Sequence, residues 1–303
     1  MVLKLENLSF PLVSVVIPVF NGGIFIEEAV KSVQKNTFKK FEILLVDDGS
    51  TDESKKICQR LEKQYRNVKF YSFPKNKGLG RVLNFALKKT KSKYIARLNQ
   101  DDLMVPSRLE KQVKFLEDNP GYVAVGSRVR LFTKSKTNYD TVCFPLTNKT
   151  IRQHWLFLSP FSDPAVMYRK SAWLKTNGYK QEFWPADDVH MWYQLGVIGK
   201  LANLPQVLTK VRWHKKTGSI SLHRLQIQKT WEVHQWAKQN VGKPTIWTQV
   251  FWLIQYIGGM ICPPQFNWFV YRLLKKYIFY RSLNHRKDTT RTADLWMELN
   301  YAS

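Results

Sequence analysis

Apolar residues in the first hundred positions alternate between short continuous runs and stretches with helical spacing. The run at 13–19 is rich in β-branched residues, which is typical of a strand covered on both faces. After a turn at Asn21-Gly22-Gly23, further strands are predicted at 41–46, 68–73 and 93–98. The helices between the strands are marked by apolar residues on one face: Ile26, Val30 and Val33 in the first, Ile57, Leu61 and Tyr65 in the second, and Val82, Leu83, Ala86 and Leu87 in the third.

This alternation predicts an α/β fold with a Rossmann-like, mostly parallel sheet flanked by helices. Another strand is predicted within 121–131, a polar excursion at 133–148, and a return to apolar residues at 155–158. In open sheets of this kind ligands bind at the carboxyl ends of the strands. Polar residues that follow the strands are therefore the first candidates for chemistry.

Two of the predicted strands end in adjacent carboxylates. Asp47 and Asp48 follow the second strand, and Asp101 and Asp102 follow the fourth. Paired Asp side chains are the hard oxygen ligands that Mg²⁺ or Mn²⁺ takes while it holds phosphates. The alternative is structural, because Asp is common in turns and at helix caps. Neither a GxGxxG nor a GxxxxGK[ST] motif is present, which excludes dinucleotide-type and P-loop sites.

A third acidic pair, Asp187-Asp188, precedes a predicted apolar-periodic helix that contains Trp192. An Asp at a helix start is favourable by about 1 kcal/mol for structural reasons alone. A carboxylate whose pKa is raised in a partly buried site can instead act as a general base, and Trp184 could contribute to such an environment. Both interpretations remain open at this level.

The 303 residues carry 48 Lys and Arg against 23 Asp and Glu, a formal net charge of +25. This balance suits polyanionic partners: nucleic acid, an anionic membrane surface or phosphorylated substrates. The basic residues are spread along the chain and form no tract or nucleic-acid motif, so we expect no nucleic-acid partner. Three widely separated cysteines predict neither a disulfide framework nor a zinc cluster, and favour a reducing compartment.

The stretch 244–271 contains no charged residue and is rich in aromatics. Its most apolar part, 245–262, approaches the ~20 residues of a transmembrane helix, but Gln, Gly-Gly and Pro-Pro interrupt it. Because both flanks are basic, we expect an aromatic segment lying in the membrane interface, with cytoplasmic ends. The alternative is a helical cover packed on the preceding domain. The first eleven residues predict no secretory signal, and a polar tail follows Asn284.

Several short motifs occur along the chain in a fixed order. They are PLVSVVIPVFN at 11–21, VDDGSTD at 46–52, NKGLG at 76–80, NQDD at 99–102, RLEKQV at 108–113 and DPAVM at 163–167. Together they resemble family 2 glycosyltransferases with the GT-A fold. The resemblance covers about 11–221 and implies an inverting, metal-dependent enzyme of the hexosyltransferase type. It would use a nucleotide-sugar donor and a hydroxyl acceptor.

The resemblance also implies residue roles. Asp187, five residues before Trp192, is the preferred general base, and Asp188 is the second choice. The divalent cation, Mn²⁺ or Mg²⁺, would be held by Asp101, Asp102 and His214, the last from a late Arg-x-His segment followed by 218–221. Asn99 departs from the Asp of many relatives. The residues implied in binding the donor nucleotide are Pro18, Phe20, Asn21, Asp48, Lys77, Asn99, Asp101 and Arg212.

The expected function is transfer of a sugar, most simply from a UDP-sugar, to a glycan or glycolipid in cell-surface polysaccharide or lipopolysaccharide synthesis. We expect a catalytic domain at 1–221 and a helical extension at 222–303 that attaches peripherally to the cytoplasmic face of the membrane. One alternative is a sugar-phosphate nucleotidyltransferase, but the turn at 21–23 lacks the basic residue that such an enzyme needs. Another is a non-catalytic basic membrane-binding module, which three acidic pairs argue against.

Overall fold

The computed structural model describes residues 11–133, 140–214 and 221–280. Within these ranges nine strands form a single sheet. The strands are β1 Val13–Val19, β2 Phe41–Asp47, β3 Val68–Ser72, β4 Tyr94–Arg97, β5 Leu103–Met104, β6 Tyr122–Phe132, β7 Asp140–Val142, β8 Met167–Arg169 and β9 Lys200–Arg212. The α-helices are α1 Ile26–Gln34, α2 Ser54–Gln64, α3 Leu79–Lys89, α4 Arg108–Asp118, α5 Asn148–Gln153, α6 Lys170–Trp173, α7 Asp187–Ile198, α8 His223–Asn240, α9 Ile246–Ile261 and α10 Pro264–Tyr280.

The first four strands are parallel and lie side by side in the order β3-β2-β1-β4. The predicted strand–helix alternation is therefore confirmed, with ends that differ by one or two residues. The register pairs Val19 with Asp47, so the acidic turn after β2 lies beside the end of β1. The carboxyl ends of these strands share one edge of the sheet, where ligands bind in such folds.

The second half of the sheet adds antiparallel pairs. The short strand β8 joins β4 to β6 and is antiparallel to both. β6 then runs parallel to the long strand β9, with register shifts that mark bulges. β9 was not predicted, because its exposed middle interrupts the apolar pattern. Its last residue, Arg212, brings the segment before His214 back to the edge that carries Asp101 and Asp102.

The sheet is covered on both faces, as the continuous apolar runs predict. Along β1, Val13, Val15 and Ile17 pack with α1, α2 and α4 on one face. Val16 points to the opposite face, which α3 and α7 cover together with α8. Successive side chains of β1 therefore enter opposite cores. This fixes the register of the strand, because a shift of one residue would move each side chain to the other face of the sheet.

The C-terminal helices pack against the rest of the molecule. The rings of His190 in α7 and Trp236 in α8 lie 4.3 Å apart between centroids. Trp252 of α9 is buried, and its Nε1 donates a hydrogen bond to the carbonyl of Leu156 at 2.7 Å. No helix in the described part of the chain is both long and apolar enough to cross a bilayer. The polar tail after Asn284 and most of the predicted 218–221 motif lie outside the described residues.

Candidate active site

The turn after β2 is built around the carboxylate of Asp48. This side chain is buried, and it accepts the backbone N–H groups of Lys77 at 2.6 Å and Gly78 at 2.9 Å. Gly78 has φ +92°, a conformation that favours glycine, so the loop can present both N–H groups to one carboxylate. Burial raises the pKa of Asp48. Asp48 therefore ties the loop of residues 74–78 to the end of β2.

The loop after β1 presents an open surface beside this turn. Phe20 is exposed, and its backbone exchanges two hydrogen bonds with the side chain of Gln100, at 2.9 and 3.0 Å. Asn21 has φ +48°, and its Oδ1 accepts the N–H of Thr51 at 2.9 Å. The ends of β1, β2 and β4 are thus joined by side-chain-to-backbone bonds. Gln100 was not predicted, and only its place between Asn99 and Asp101 could have signalled it.

Asp101 and Asp102 have different surroundings although they are adjacent. Asp102 is 1% exposed, and its two oxygens accept the N–H of Arg212 at 2.8 Å and the amide of Asn99 at 3.1 Å. Burial and the neighbouring charge of Asp101 raise its pKa well above the usual range. Asp101 is partly exposed, and its Oδ2 lies 2.9 Å from Nε2 of His214.

These positions bear on the cation implied by the family resemblance. Among the described residues, no group of three or more His, Cys, Asp and Glu side chains is arranged to hold a metal ion. Asp101 and His214 form an accessible pair of an oxygen and a nitrogen donor. A divalent cation that also binds substrate phosphates needs only one or two protein ligands. The mixed oxygen and nitrogen donors of this pair fit Mn²⁺ better than Mg²⁺, which prefers oxygen ligands alone. Both oxygens of Asp102 already accept hydrogen bonds, so Asp102 holds the neighbouring backbone in place and is not itself free to face the cation.

Arg212 occupies the junction between β9 and these carboxylates. Its Nε donates to the carbonyl of Asp101 at 2.9 Å, and its guanidinium also forms an ion pair with Glu28. The guanidinium lies over the rings of Phe25 and Phe132 as well, at 4.9 and 4.4 Å from their centroids. The side chain is thus held in place on several sides.

Arg97 is a charged residue inside a buried strand. Its hydrogen-bond partners connect Asp102, through Asn99, with Asp163. It forms an ion pair with Asp163 at 2.6 Å and donates to Oδ1 of Asn99 at 3.1 Å. Asn99 in turn bonds Asp102. Neither Arg97 nor Asp163 was among the predicted site residues. The signal was an Arg in an otherwise apolar strand, since a buried charge requires a partner.

Asp187 and Asp188 form the first turn of α7, so the helix begins at the pair and not after it. Asp187 is 2% exposed, and its Oδ2 has no hydrogen-bond partner among the described residues. Burial, with the charge of Asp163 as the second cause, raises the pKa of Asp187 to about 7. Asp188 is half-buried, accepts the N–H of Val189 at 2.8 Å, and also has a pKa raised by burial.

A cavity of about 690 Å³ brings several of these groups together. Its wall includes Asn99, Asp163, Asp187 and Asp188. The second acidic pair is therefore joined to the third through Asn99, which bonds Asp102 and also faces the cavity. An unpartnered carboxylate with a pKa near neutrality, at the wall of a cavity, is a suitable proton acceptor.

One side chain also links the loop at 74–80 to the segment before α7. Oε1 of Gln181 accepts the backbone N–H of Gly80 at 3.0 Å, and the same side chain packs on Gly78. Gln181 lies six positions before Asp187. The loop that follows β3 and the segment that precedes α7 are thus connected through the Gln181 side chain.

The chain matches the family model described as glycosyl transferase family 2 over residues 14–175. A Haemophilus influenzae protein described as an uncharacterized glycosyltransferase is 30% identical over 223 residues, covering 70% of this chain and 69% of that protein. The amylovoran biosynthesis glycosyltransferase AmsE of Erwinia amylovora is 29% identical over 215 residues, covering 67% of this chain and 80% of its own.

Solved structures share the fold at low sequence identity. The mannosyltransferase PcManGT from Pyrobaculum calidifontis, in complex with GDP-Man and Mn²⁺, has a TM-score of 0.62 at 16% identity, over 91% of this chain and 77% of that one. S. aureus TarS in complex with UDP-GlcNAc has a TM-score of 0.58 at 17% identity, over 89% of this chain and 87% of that one.

Proposed function

Because the chain belongs to glycosyl transferase family 2, we propose that it transfers a sugar from a nucleotide diphosphate sugar to an acceptor hydroxyl with inversion of configuration. The observation that carries this proposal is the carboxylate of Asp187. Its Oδ2 is buried in a cavity wall and has no hydrogen-bond partner within the described part of the chain, and burial raises its pKa to about 7. A group of this kind can take a proton from a hydroxyl near neutral pH.

The donor nucleotide is assigned to the edge formed by the ends of β1, β2 and β4. Pro18, Phe20 and Asn21 offer an exposed edge to the base and ribose, next to the turn held by Asp48. Lys77 and Arg212 are assigned to the phosphates, since cations pair with phosphate oxygens. We favour a UDP-sugar as the donor, because the TarS structure contains UDP-GlcNAc. A GDP-sugar is the second candidate, because the PcManGT structure contains GDP-Man.

Asp101 and His214 would hold a divalent cation, with Asp102 fixing the segment from behind and Asn99 bridging toward the sugar. When bound, such a cation supplies neutralisation of the charge that develops on the departing nucleoside diphosphate. The metal complex of PcManGT supports this proposal, as does the 2.9 Å approach of Asp101 to His214.

In the proposed reaction Asp187 accepts the proton of the acceptor hydroxyl as the oxygen attacks the anomeric carbon. The bond from that carbon to the diphosphate oxygen breaks on the opposite face, so a single displacement inverts the configuration. Asp188 is the second candidate for the base and otherwise maintains the charge environment of Asp187. Positioning and charge stabilisation supply most of the rate, since no covalent intermediate is formed.

We assign the acceptor to cell-surface polysaccharide or lipopolysaccharide synthesis. The support is AmsE, whose name places it in amylovoran biosynthesis. The proposed division is a catalytic domain at 1–221 and a helical extension at 222–303. The contacts of α8 and α9 with α7 and residues 156–157 support an extension that completes the acceptor side and is not a separate unit.

We further assign peripheral attachment at the cytoplasmic face of the membrane to the extension. The support is α9, whose exposed large apolar residues recur along one helix face. Those residues are Ile246, Trp247, Val250, Leu253, Ile254, Ile257 and Ile261. The high positive charge of the chain complements anionic headgroups.

The test is release of nucleoside diphosphate from a panel of UDP- and GDP-sugars with Mn²⁺ and mixed glycan acceptors. Asp187→Asn should abolish turnover yet retain donor binding, whereas Asp101→Asn should weaken both. Asp118→Asn, an exposed acid on α4, is the matched control and should behave as the unaltered protein. Binding of no donor with any metal would contradict the proposal and favour a non-catalytic membrane module.

A further inference from the structure

The cavity that contains Asp187 is lined mainly by apolar surface, and the C-terminal helices contribute part of it. Phe251 and Ile254 of α9 and Phe266, Val270 and Leu274 of α10 contribute to its wall. Among the described residues that line it there is no Lys or Arg. Its volume, about 690 Å³, is within the range of pockets that bury a small ligand. A phosphate would therefore find no Lys or Arg among the described lining residues, although polar side chains such as Gln226 and Asn267 also line this part.

The apolar part continues to the outer surface of the molecule. Ile254 and Phe266 line the cavity, and they are also 63% and 46% exposed. Ile254 belongs to the exposed apolar face of α9 described above. A ligand could therefore extend from the carboxylates of Asp187 and Asp188, along an apolar path, to a surface that itself suits hydrocarbon.

Two adjacent glycines show that part of this space is open. A Cβ added at Gly259 would fall 2.7 Å from the side chain of Ile227, so α8 and α9 are in close contact there. A Cβ added at Gly258 meets nothing within 4 Å, and Gly258 lines the cavity. The helices beside this space are also joined by hydrogen bonds, since His223 contacts the carbonyl of Gly259 at 3.1 Å and the amide of Asn267 at 2.9 Å.

We propose that the acceptor is a glycolipid, whose sugar hydroxyl lies at Asp187 while its hydrocarbon chain occupies the apolar part of the cavity between the sheet and α8–α10. This inference rests on the proposed function and deepens it by naming the class of acceptor. The hydrocarbon chain leaves the cavity past Ile254 toward the exposed face of α9. The enzyme can therefore reach the sugar while the far end of the lipid remains in the bilayer.

The first measurement is binding by calorimetry, which requires no turnover. The probes are methyl β-D-glucoside and n-decyl β-D-glucoside, both below micelle-forming concentrations. Each methylene that enters the cavity should tighten binding about fourfold, so the decyl compound should bind at least about 100-fold more tightly. Equal binding of the two probes would overturn the proposal, and would mean that other groups, the chain's own included, fill this space.

Substitution at Gly258 separates binding in the cavity from adsorption on the exposed face. Gly258→Trp should remove most of the chain-length dependence and leave methyl glucoside binding unchanged, whereas Gly258→Ala should retain it. Gly242→Trp is the matched control, because Gly242 is exposed, has open space around it and does not line the cavity. Unchanged decyl binding in Gly258→Trp, with native circular dichroism and thermal unfolding, would also overturn the proposal.

The outcome for the proposed function is read separately, from nucleoside diphosphate release with alkyl glycoside acceptors of increasing chain length. Donor turnover without any dependence on the alkyl chain would leave the glycosyltransferase proposal intact and remove the glycolipid assignment. If the protein instead binds the alkyl chain, loses that binding in Gly258→Trp and turns over no donor, the result would support the apolar binding site and contradict the glycosyltransferase proposal.

Discussion

Arg97 and Asp163 form an ion pair at 2.6 Å inside the protein, although 66 residues separate them in the chain. The Arg97 side chain is 1% exposed and that of Asp163 is 17% exposed. The pair connects β4, which precedes Asn99, with the short 3₁₀ helix Asp163–Ala165. Asp163 also lines the cavity and is the charge that helps raise the pKa of Asp187. Structure and chemistry therefore meet at this pair.

Removal of one partner of this pair should destabilise the fold. Asp163→Ala leaves the buried guanidinium without its counter-charge. Because Asp163 is partly exposed, we expect a loss of about 3 kcal/mol in the free energy of unfolding, at the low end for a buried pair. Arg97→Met combined with Asp163→Ala should recover part of that loss. Urea unfolding of the two single variants and the double variant measures the coupling. Additive effects in this cycle would contradict a direct interaction.

Asp187→Asn should lower kcat by about 10²- to 10⁴-fold, the usual contribution of a general base. The amide has nearly the same shape, so the Kd for the donor should change little. Steady-state kinetics and donor titration on the same preparation provide both values. Asp188→Asn should have the smaller effect on kcat, and the reverse order would make Asp188 the base.

The raised pKa of Asp187 predicts how activity depends on pH. The base must be ionised, so kcat/KM should rise with pH and reach half of its plateau near pH 7. A profile that is already flat at pH 5 would show that a carboxylate with an ordinary pKa is acting. Asp118→Asn should leave the midpoint where it is, since that residue is exposed and distant in the chain.

Stability should depend on the same group with the opposite sign. Because the folded-state pKa lies above the value of about 4 in the unfolded chain, the folded protein holds the proton more tightly. Its contribution to stability is complete below about pH 4 and is lost as the pH rises toward 7. The Tm of Asp187→Asn relative to the unaltered protein should therefore increase from pH 5 to pH 8. A constant difference across that range would contradict the burial of an ionisable carboxyl.

Asp48→Ala should disorder the loop at 74–78, because two backbone N–H groups lose their acceptor at once. If the nucleotide binds beside this loop, its affinity should fall at least about tenfold, while the free energy of unfolding should fall by about 1 to 3 kcal/mol. Asp52→Ala, in the same turn but exposed, is the control. An unaffected nucleotide affinity would separate this loop from the donor site.

The exposed face of α9 should drive binding to vesicles. Trp247 and Ile261 are 78% and 76% exposed, so replacing both by Ser should lower partitioning to anionic vesicles by at least about 100-fold. The control is Ile24→Ser with Leu174→Ser, two residues of similar exposure in the remainder of the molecule. Equal losses in both double variants would indicate general surface hydrophobicity instead of a membrane-binding face.

The sequence supported some parts of this picture far better than others. β1, β2 and α3 were predictable because their periodicity and their burial obey the same local geometry. β8 and β9 were not, since a three-residue strand and a strand with an exposed middle carry little pattern of their own. Their pairing is decided by long-range contacts with β6.

The site divides in the same way. The acidic pairs were visible because they follow strands or begin a helix, and their types suggest their chemistry. That Asp102 is enclosed while Asp101 faces outward could not be read from two adjacent identical residues, because the difference comes from Arg212 and Asn99. The apolar cavity wall near Asp187 likewise depends on how α9 and α10 pack against the rest of the molecule.

The hydrogen bond from the backbone of Arg212 to Asp102 has a consequence for the order in which this protein matures. The match to the family model ends at residue 175, yet one of the two groups that bond Asp102 and the ring that approaches Asp101 come from residues 212 and 214. During synthesis the early strands can pair before residues 212 and 214 have been made. A nascent chain should thus form its core well before it gains affinity for the donor. A fragment that ends at residue 175 should fold in part but should not bind the donor.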